Sequence, residues 1–185
     1  MDPIWAELIN SDWHDHLGRG RRADRIGDDR WLAAFLAAAG WRGRRLPGAA
    51  DRGRLRSLRA VLRRIVDASL AGAVPAARDV GALNRALGAC PAVRRLRRGG
   101  RARWVLEWVA VPGGIERALG AVAASFAGVL AAGEPDRIRV CANPDCRWVF
   151  FDGSRNRTRR WCEAGVCGSL VKVRRFRARR RSGAD

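Results

Sequence analysis

Four of the five cysteines in this chain stand in two short stretches, CANPDC at 141–146 and CEAGVCGSL at 162–170. Their spacing, C-x4-C-x15-C-x4-C, constrains the fold more than any other feature of the sequence. A structural zinc site asks for four thiolates or imidazoles at the corners of a tetrahedron. Two cysteine loops folded onto each other supply that set, with Asn143, Pro144, Asp145 and Gly165 as suitable turn residues. Cys141, Cys146, Cys162 and Cys167 are therefore the expected ligands of one structural zinc. The alternative is four buried or redox-active thiols. Four cysteine ligands would leave no open coordination position, so the metal is not expected to be catalytic. The stretch MDPIWAELINSDW has no basic or apolar signal region. A cytoplasmic location, where thiols stay reduced, is the expectation. Cys90, followed by Pro91, reads as a core thiol.

The formal charge is +19, and Lys172 is the only lysine. Such an excess repels itself in a compact chain unless an anionic partner is near. Nucleic acid is the commonest such partner, and an anionic membrane surface comes second. The longest uncharged apolar run, 118–133, falls short of the roughly 18–20 residues of a membrane span. A membrane partner is not expected.

Periodicity predicts a mainly helical α+β protein. A helix over RWLAAFLAAAG starts at a cap on Asp28 or Asp29 and ends at Gly40. The next helix has Asp51 as its cap and an inward stripe of Leu55, Leu58, Leu62 and Ile65, with Val61 and Val66 beside it. Residues 18–25 read as an exposed loop, and 78–87 as a further helix. Gly99-Gly100, followed by alternation through Trp104, Leu106 and Trp108, signals a β-hairpin. A long small-residue helix follows. The composition changes at Gly133-Glu134-Pro135, which divides the chain into a mostly helical N-terminal domain with a β-hairpin, 1–135, and a small basic, cysteine-bearing module, 136–185. Residues 137–185 hold 14 of the 37 basic residues and four acidic ones. So short a module rarely folds on its core alone, and the metal is expected to order it.

Within the module, Arg155, Arg157, Arg159 and Arg160 lie on a loop between the cysteine pairs. GSLVKVRRFRARRR then reads as a helix packed through Leu170, Val173 and Phe176 and presenting Lys172, Arg174, Arg175, Arg177 and Arg179. Basic side chains on metal-pinned elements suit phosphate contacts, and an arginine-bearing helix suits the DNA major groove. Arginine-rich loops bind structured RNA equally well.

The stretch RVCANPDCRWVFFDGSRNRTRRWCEAGVCG resembles the C-G-N-R zinc-finger family of bacteria. The likeness rests on Cys141, Asn143, Pro144, Cys146, Phe150, Asp152, Ser154, Arg155, Asn156, Arg159, Arg160, Trp161, Cys162, Cys167 and Gly168. LINSDW at 8–13 is similar to the opening of the stress-induced transcription-regulator domain that precedes this finger in the family. The resemblance implies a zinc-dependent DNA-binding regulator whose N-terminal domain senses a ligand or dimerises. This chain departs from the pattern at Ser169-Leu170, where the family has Asn-Arg. Serine can cap the following helix, whereas the contact made by the arginine is lost.

No nucleophile elbow, phosphate loop or dinucleotide fingerprint occurs, and an enzyme is not expected. The His14-Asp15-His16 cluster reads as a surface turn rather than a metal site. The eight tryptophans suit core filling first and the lining of a ligand pocket second. Asn10, a polar residue within an apolar run, is the candidate ligand residue together with Trp13; the alternative for Asn10 is to satisfy backbone groups. The competing function classes are a DNA-binding regulator, an RNA-binding or ribosome-associated protein, and a protein-interaction module whose zinc is architectural. A small-molecule effector and a homodimer complete the candidate partners.

Overall fold

The computed structural model describes residues 3–100, 103–111 and 114–182. Its elements in chain order are α1 (Ile4–Ile9), β1 (Asp12–His14), β2 (Arg22–Asp24), α2 (Asp29–Ala38), α3 (Ala49–Leu70), α4 (Ala77–Gly88), β3 (Ala92–Arg98), β4 (Trp104–Ala110), α5 (Gly114–Ala131), β5 (Ile138–Val140), β6 (Val149–Phe151) and α6 (Ser169–Ser182). The strands form three separate antiparallel hairpins, β1–β2, β3–β4 and β5–β6. This is the mainly helical α+β architecture that the periodicity predicts.

Helix ends follow local chemistry. The Asp28 carboxylate accepts from the N–H groups of Arg30 and Trp31 and so caps α2. At the other end Gly40 N–H donates to Ala37 and Trp41 N–H to Leu36, the paired bonds of a Schellman motif. Asp51, expected as the cap of α3, instead lies in its first turn: the helix begins at Ala49 and Gly48 is the cap. There the Asp51 carboxylate still meets the favourable end of the helix dipole. Part of the segment read as a loop over 18–25 is β2, which pairs Asp24 with Asp12 and Arg22 with His14. That pairing places Asp24 under Arg56 and Arg59 of α3, each at 2.6 Å.

The core is built on α1, α3 and α5. Trp5 is fully buried and meets Phe126 edge-on at 5.3 Å. Leu55, Leu58, Val61, Leu62, Ile65 and Val66 line the inner face of α3, as the helical period predicts. Helix α5 has the length and hydropathy of a membrane span, but Ile115, Ala118, Leu119, Val122, Ala123 and Phe126 are buried in this core. Cys90 is half-buried, and a Cβ on Gly120 of α5 would stand 2.4 Å from its Cβ, so α5 and the end of α4 approach closely.

The cysteine-bearing segment shares this interior. Ile138 and Val149 belong to the main core, with Val140 and Phe151 packed against it. These four occupy one face of β5–β6, because Ile138 pairs with Phe151 and Val140 with Val149. Burying each such side chain contributes about 1.5–3 kcal/mol. The join is fixed by Asn10, which is 4% exposed. Its side-chain amide donates to the Val149 carbonyl and its Oδ1 accepts from the Val149 N–H, both at 2.8 Å.

Removing that amide leaves two buried backbone groups unpaired. Asn10→Ala is expected to cost about 2–3 kcal/mol, seen in a thermal melt as a fall in Tm of roughly 5–10 °C. A Tm equal to that of the parent would mean that water or another group replaces the amide.

Candidate metal centre

Three pieces of chain converge on the cysteines. Cys141 follows β5 and its N–H donates to the Trp148 carbonyl; Ala142 N–H donates to Arg160. Cys146 closes the first loop through its N–H to the Asn143 carbonyl. Cys162 follows the basic loop, and Cys167 lies in a π-helical turn, Ala164–Gly168, that leads into α6. A Cβ on Gly168 would stand 3.0 Å from Trp161 Cδ1, so a glycine there lets the turn lie against the indole.

The four sulfurs lie within 4.8 Å of one another, and three of the four cysteines are buried. The Cys146–Cys162 and Cys162–Cys167 sulfurs are 3.6 and 3.7 Å apart. Zn–S bonds of about 2.3 Å arranged tetrahedrally require sulfur separations of about 3.8 Å. Electrostatics agrees with the geometry. Hydrogen bonds from Cys146 and then Cys162 push the Cys141 thiol down to about 2. By the same contacts, Cys146 is pushed up to about 12 and Cys162 is pushed up as well. The shared hydrogen bonds thus favour a thiolate at Cys141 over one at Cys146 or Cys162, and a bound cation would stabilise all three as thiolates. Among the described residues this is the one group of three or more potential metal ligands; the His14–His16 turn forms no such group. The donor set fits one structural Zn2+ held by Cys141, Cys146, Cys162 and Cys167. The metal's contribution there is cross-linking, since four thiolates complete the tetrahedron.

The surrounding polar residues orient this set. Asn143 is fully buried; its amide donates to the His16 carbonyl at 2.9 Å and lies 3.6 Å from Cys167 Sγ, while its Oδ1 accepts from Asp145 N–H. Asp152, also fully buried, accepts from the N–H groups of Ser154 and Arg159, both at 2.9 Å, and so shapes the basic loop. Burial works to raise its carboxyl pKa, but the Ser154 and Arg159 hydrogen bonds and the Arg139 charge hold it below the ordinary carboxylate range. The turn at Asn143 is the expected one, whereas its reach to the His16 carbonyl and the hold of Asp152 on Arg159 N–H depend on partners that local sequence does not reveal.

The basic residues divide into two groups. Arg159 stacks over Phe150 at 4.5 Å and donates to the Trp161 and Cys162 carbonyls, bracing the metal loop. Arg157 pairs with Asp136 at 2.6 Å. Arg174 pairs with Asp145 at 2.6 Å and donates to the Leu17 carbonyl at 2.7 Å, tying α6 to the β1–β2 loop. A Cβ on Gly18 would meet Asp145 Oδ2 at 2.7 Å, and its φ of +74° also favours glycine. Arg160 lies over Trp161 at 5.6 Å. Arg155, Lys172, Arg175 and Arg177 are exposed and make no ion pair among the described residues, and Arg179 is exposed beside them.

Helix α6 is rotated from the expected packing. Val171 is the buried residue, whereas Val173 and Phe176 are 46% and 54% exposed. The helix docks by its first turn and by Arg174, and beyond that it has no core to cover. Ser169 has helical φ and ψ, −63° and −44°, so it lies inside the helix and does not cap it. Asn10 is committed to Val149. Trp13 is half-buried, with Arg25 at 6.0 Å from its ring and 5.8 Å from Trp148. It borders a cavity of about 250 Å³ shared with His14, His16, Trp148 and the cysteine loops.

Fold and site together define a zinc-finger protein, a helical domain sharing its core with a four-cysteine module that ends in a basic helix. Residues 2–133 match the ABATE family model, "Putative stress-induced transcription regulator", and residues 137–180 match the CGNR zinc finger. The chain belongs to the ABATE family and carries the CGNR finger C-terminal to that domain. No curated protein matches it.

Purified protein is expected to hold one zinc per chain by atomic absorption. Chelation should abolish amide-exchange protection over 141–182 first and, because Ile138 and Val149 sit in the common core, lower the Tm of the whole chain. A metal-free protein with full protection over those residues would contradict the structural role.

Proposed function

We propose that the protein is a DNA-binding transcription regulator in which zinc is required to present α6 and the 154–160 loop to the duplex. The observation that carries this reading is a helix anchored at one end only. Its first turn is fixed by Cys167, Val171 and Arg174, and the rest projects with exposed cationic side chains. The exposed Val173 and Phe176 support the same reading. Apolar side chains beside arginines suit the thymine methyl and guanine edges that line the major groove. Arg155 and Arg160 extend the cationic surface onto the loop and suit phosphates. Arg157, Arg159 and Arg174 position these elements from within, since each is engaged with groups of the protein itself. The N-terminal domain is the regulatory part of this reading: it contacts the module through Asn10, Asn143 and the β1–β2 loop, so a change in the domain would reach the finger.

Arg175→Ala/Arg177→Ala is expected to weaken duplex binding about tenfold or more and to lower the slope of log K against log salt by about 2. Circular dichroism and zinc content should match the parent. Binding is read by fluorescence anisotropy on duplexes of different sequence and on RNA stem-loops. Unchanged duplex affinity in the variant, or preference of the parent for the stem-loops, would remove this reading.

A further inference from the structure

The β3–β4 hairpin presents its apolar side chains outward. Trp104, Leu106 and Trp108 are 67%, 57% and 68% exposed, and Leu96 is 60% exposed. Large apolar groups gathered on one exposed face mark a contact surface rather than packing. Cross-strand register sets Arg94 opposite Trp108, Leu96 opposite Leu106 and Arg98 opposite Trp104. All six therefore share one face, with a basic row on β3 beside an aromatic row on β4. The other face is different in kind. Val105, Glu107 and Val109 on it are half-buried, and Glu107 pairs with Arg97 at 2.8 Å. Arg94 and Arg98 have no carboxylate partner among the described residues, and the Arg94 guanidinium lies 5.1 Å from the centre of the Trp108 ring.

Charge decides the occupant. Residues 92–110 hold six arginines and one glutamate, so a second copy would bring two like-charged rows together. A neutral apolar peptide would cover the tryptophans and leave the arginines without counter-charge. A nucleic-acid strand with unpaired bases satisfies both rows at once, with base faces on the indoles and phosphates on the guanidiniums. Paired bases cannot offer their faces in this way.

We propose that this outer face binds single-stranded nucleic acid, with Trp104 and Trp108 stacking on unpaired bases and Arg94 and Arg98 holding the adjoining phosphates. This rests on the nucleic-acid reading above and adds to it a second surface, specific for open strand where α6 takes duplex.

The zinc-loaded full chain is titrated by anisotropy against a labelled oligo-dT strand and against a duplex. Trp104→Ala/Trp108→Ala is expected to weaken strand binding about 30-fold, two stacked bases at the low end of their measured range. Its duplex binding should match the parent, and W104F/W108F should recover most of the strand affinity. Arg94→Gln/Arg98→Gln keeps the aromatic row and should flatten the salt dependence of strand binding. Failure of the parent to bind the strand, or parent-like strand binding by a folded W104A/W108A, overturns the proposal. So does conversion of a dimer to a monomer by W104A/W108A in sedimentation with strand binding intact, which would make the face a contact between copies. The two readings separate cleanly. R175A/R177A with parent-like duplex binding removes the finger reading, while loss of strand binding in W104A/W108A upholds the hairpin regardless.

Discussion

The structure depends on one buried amide. Strand β6 has β5 on one side and the main core beneath it, and among the described residues no third strand completes its far edge. Val149 would bury its N–H and C=O there without partners, a cost of about 1–3 kcal/mol for each group. Asn10, 139 positions earlier in the chain, supplies a donor and an acceptor at once. Because Asn10 closes α1, and α1 carries Trp5 into the centre of the core, the position of the cysteine segment is set by the deepest packing in the molecule.

Two further contacts turn that point of attachment into an orientation. Asn143 reaches the His16 carbonyl from inside the first cysteine loop. Arg174 reaches the Leu17 carbonyl and Asp145 from the first turns of α6. Both end on the β1–β2 loop, which itself hangs from α3 through Asp24. Zinc joins the loops of the module to one another, and these three contacts join the module to the domain. The direction in which α6 projects follows from both sets together.

Some of this was legible in the residues and some was not, for physical reasons. The α3 stripe, the Asp28 cap and the Gly40 terminus are local patterns, and they appear as written. The cysteine set is nearly as local, since its spacing and the turn residues between the ligands reveal it. Asn10 stood out only as a polar residue in an apolar run, because its partner is remote. Alternation marked β4 as a strand, yet a period of two cannot say which face looks inward, and the tryptophan row faces solvent. On α6 the period identified a helix but gave the wrong buried side: Val171 is buried, while of the expected stripe Leu170 is half-buried and Val173 and Phe176 are exposed. Most of all, the arginines look alike in sequence. Which of them brace carbonyls, as Arg159 does, and which make no ion pair among the described residues, as Arg175, is decided by tertiary neighbours.

That division explains how a chain with net charge +19 stays folded. Its carboxylates are placed at joints: Asp24 between β2 and α3, Asp79 between α4 and α3, Glu116 between α5 and α3, and Asp145 between the metal loop and α6. Arginines at these joints are neutralised where repulsion would otherwise open the structure. Arg64 holds Asp79, and Arg54 holds Glu116, below the ordinary carboxylate range by hydrogen bonds. Their stabilisation is therefore complete at neutral pH and is lost as the pH falls from the ordinary carboxylate range through their depressed values. Much of the remainder stands on the outer part of α6, on the basic loop and on the β3–β4 ribbon, with Arg42, Arg44 and Arg45 exposed on the loop before α3. Those elements extend away from the core, so their charge strains the fold least and meets an anionic partner first.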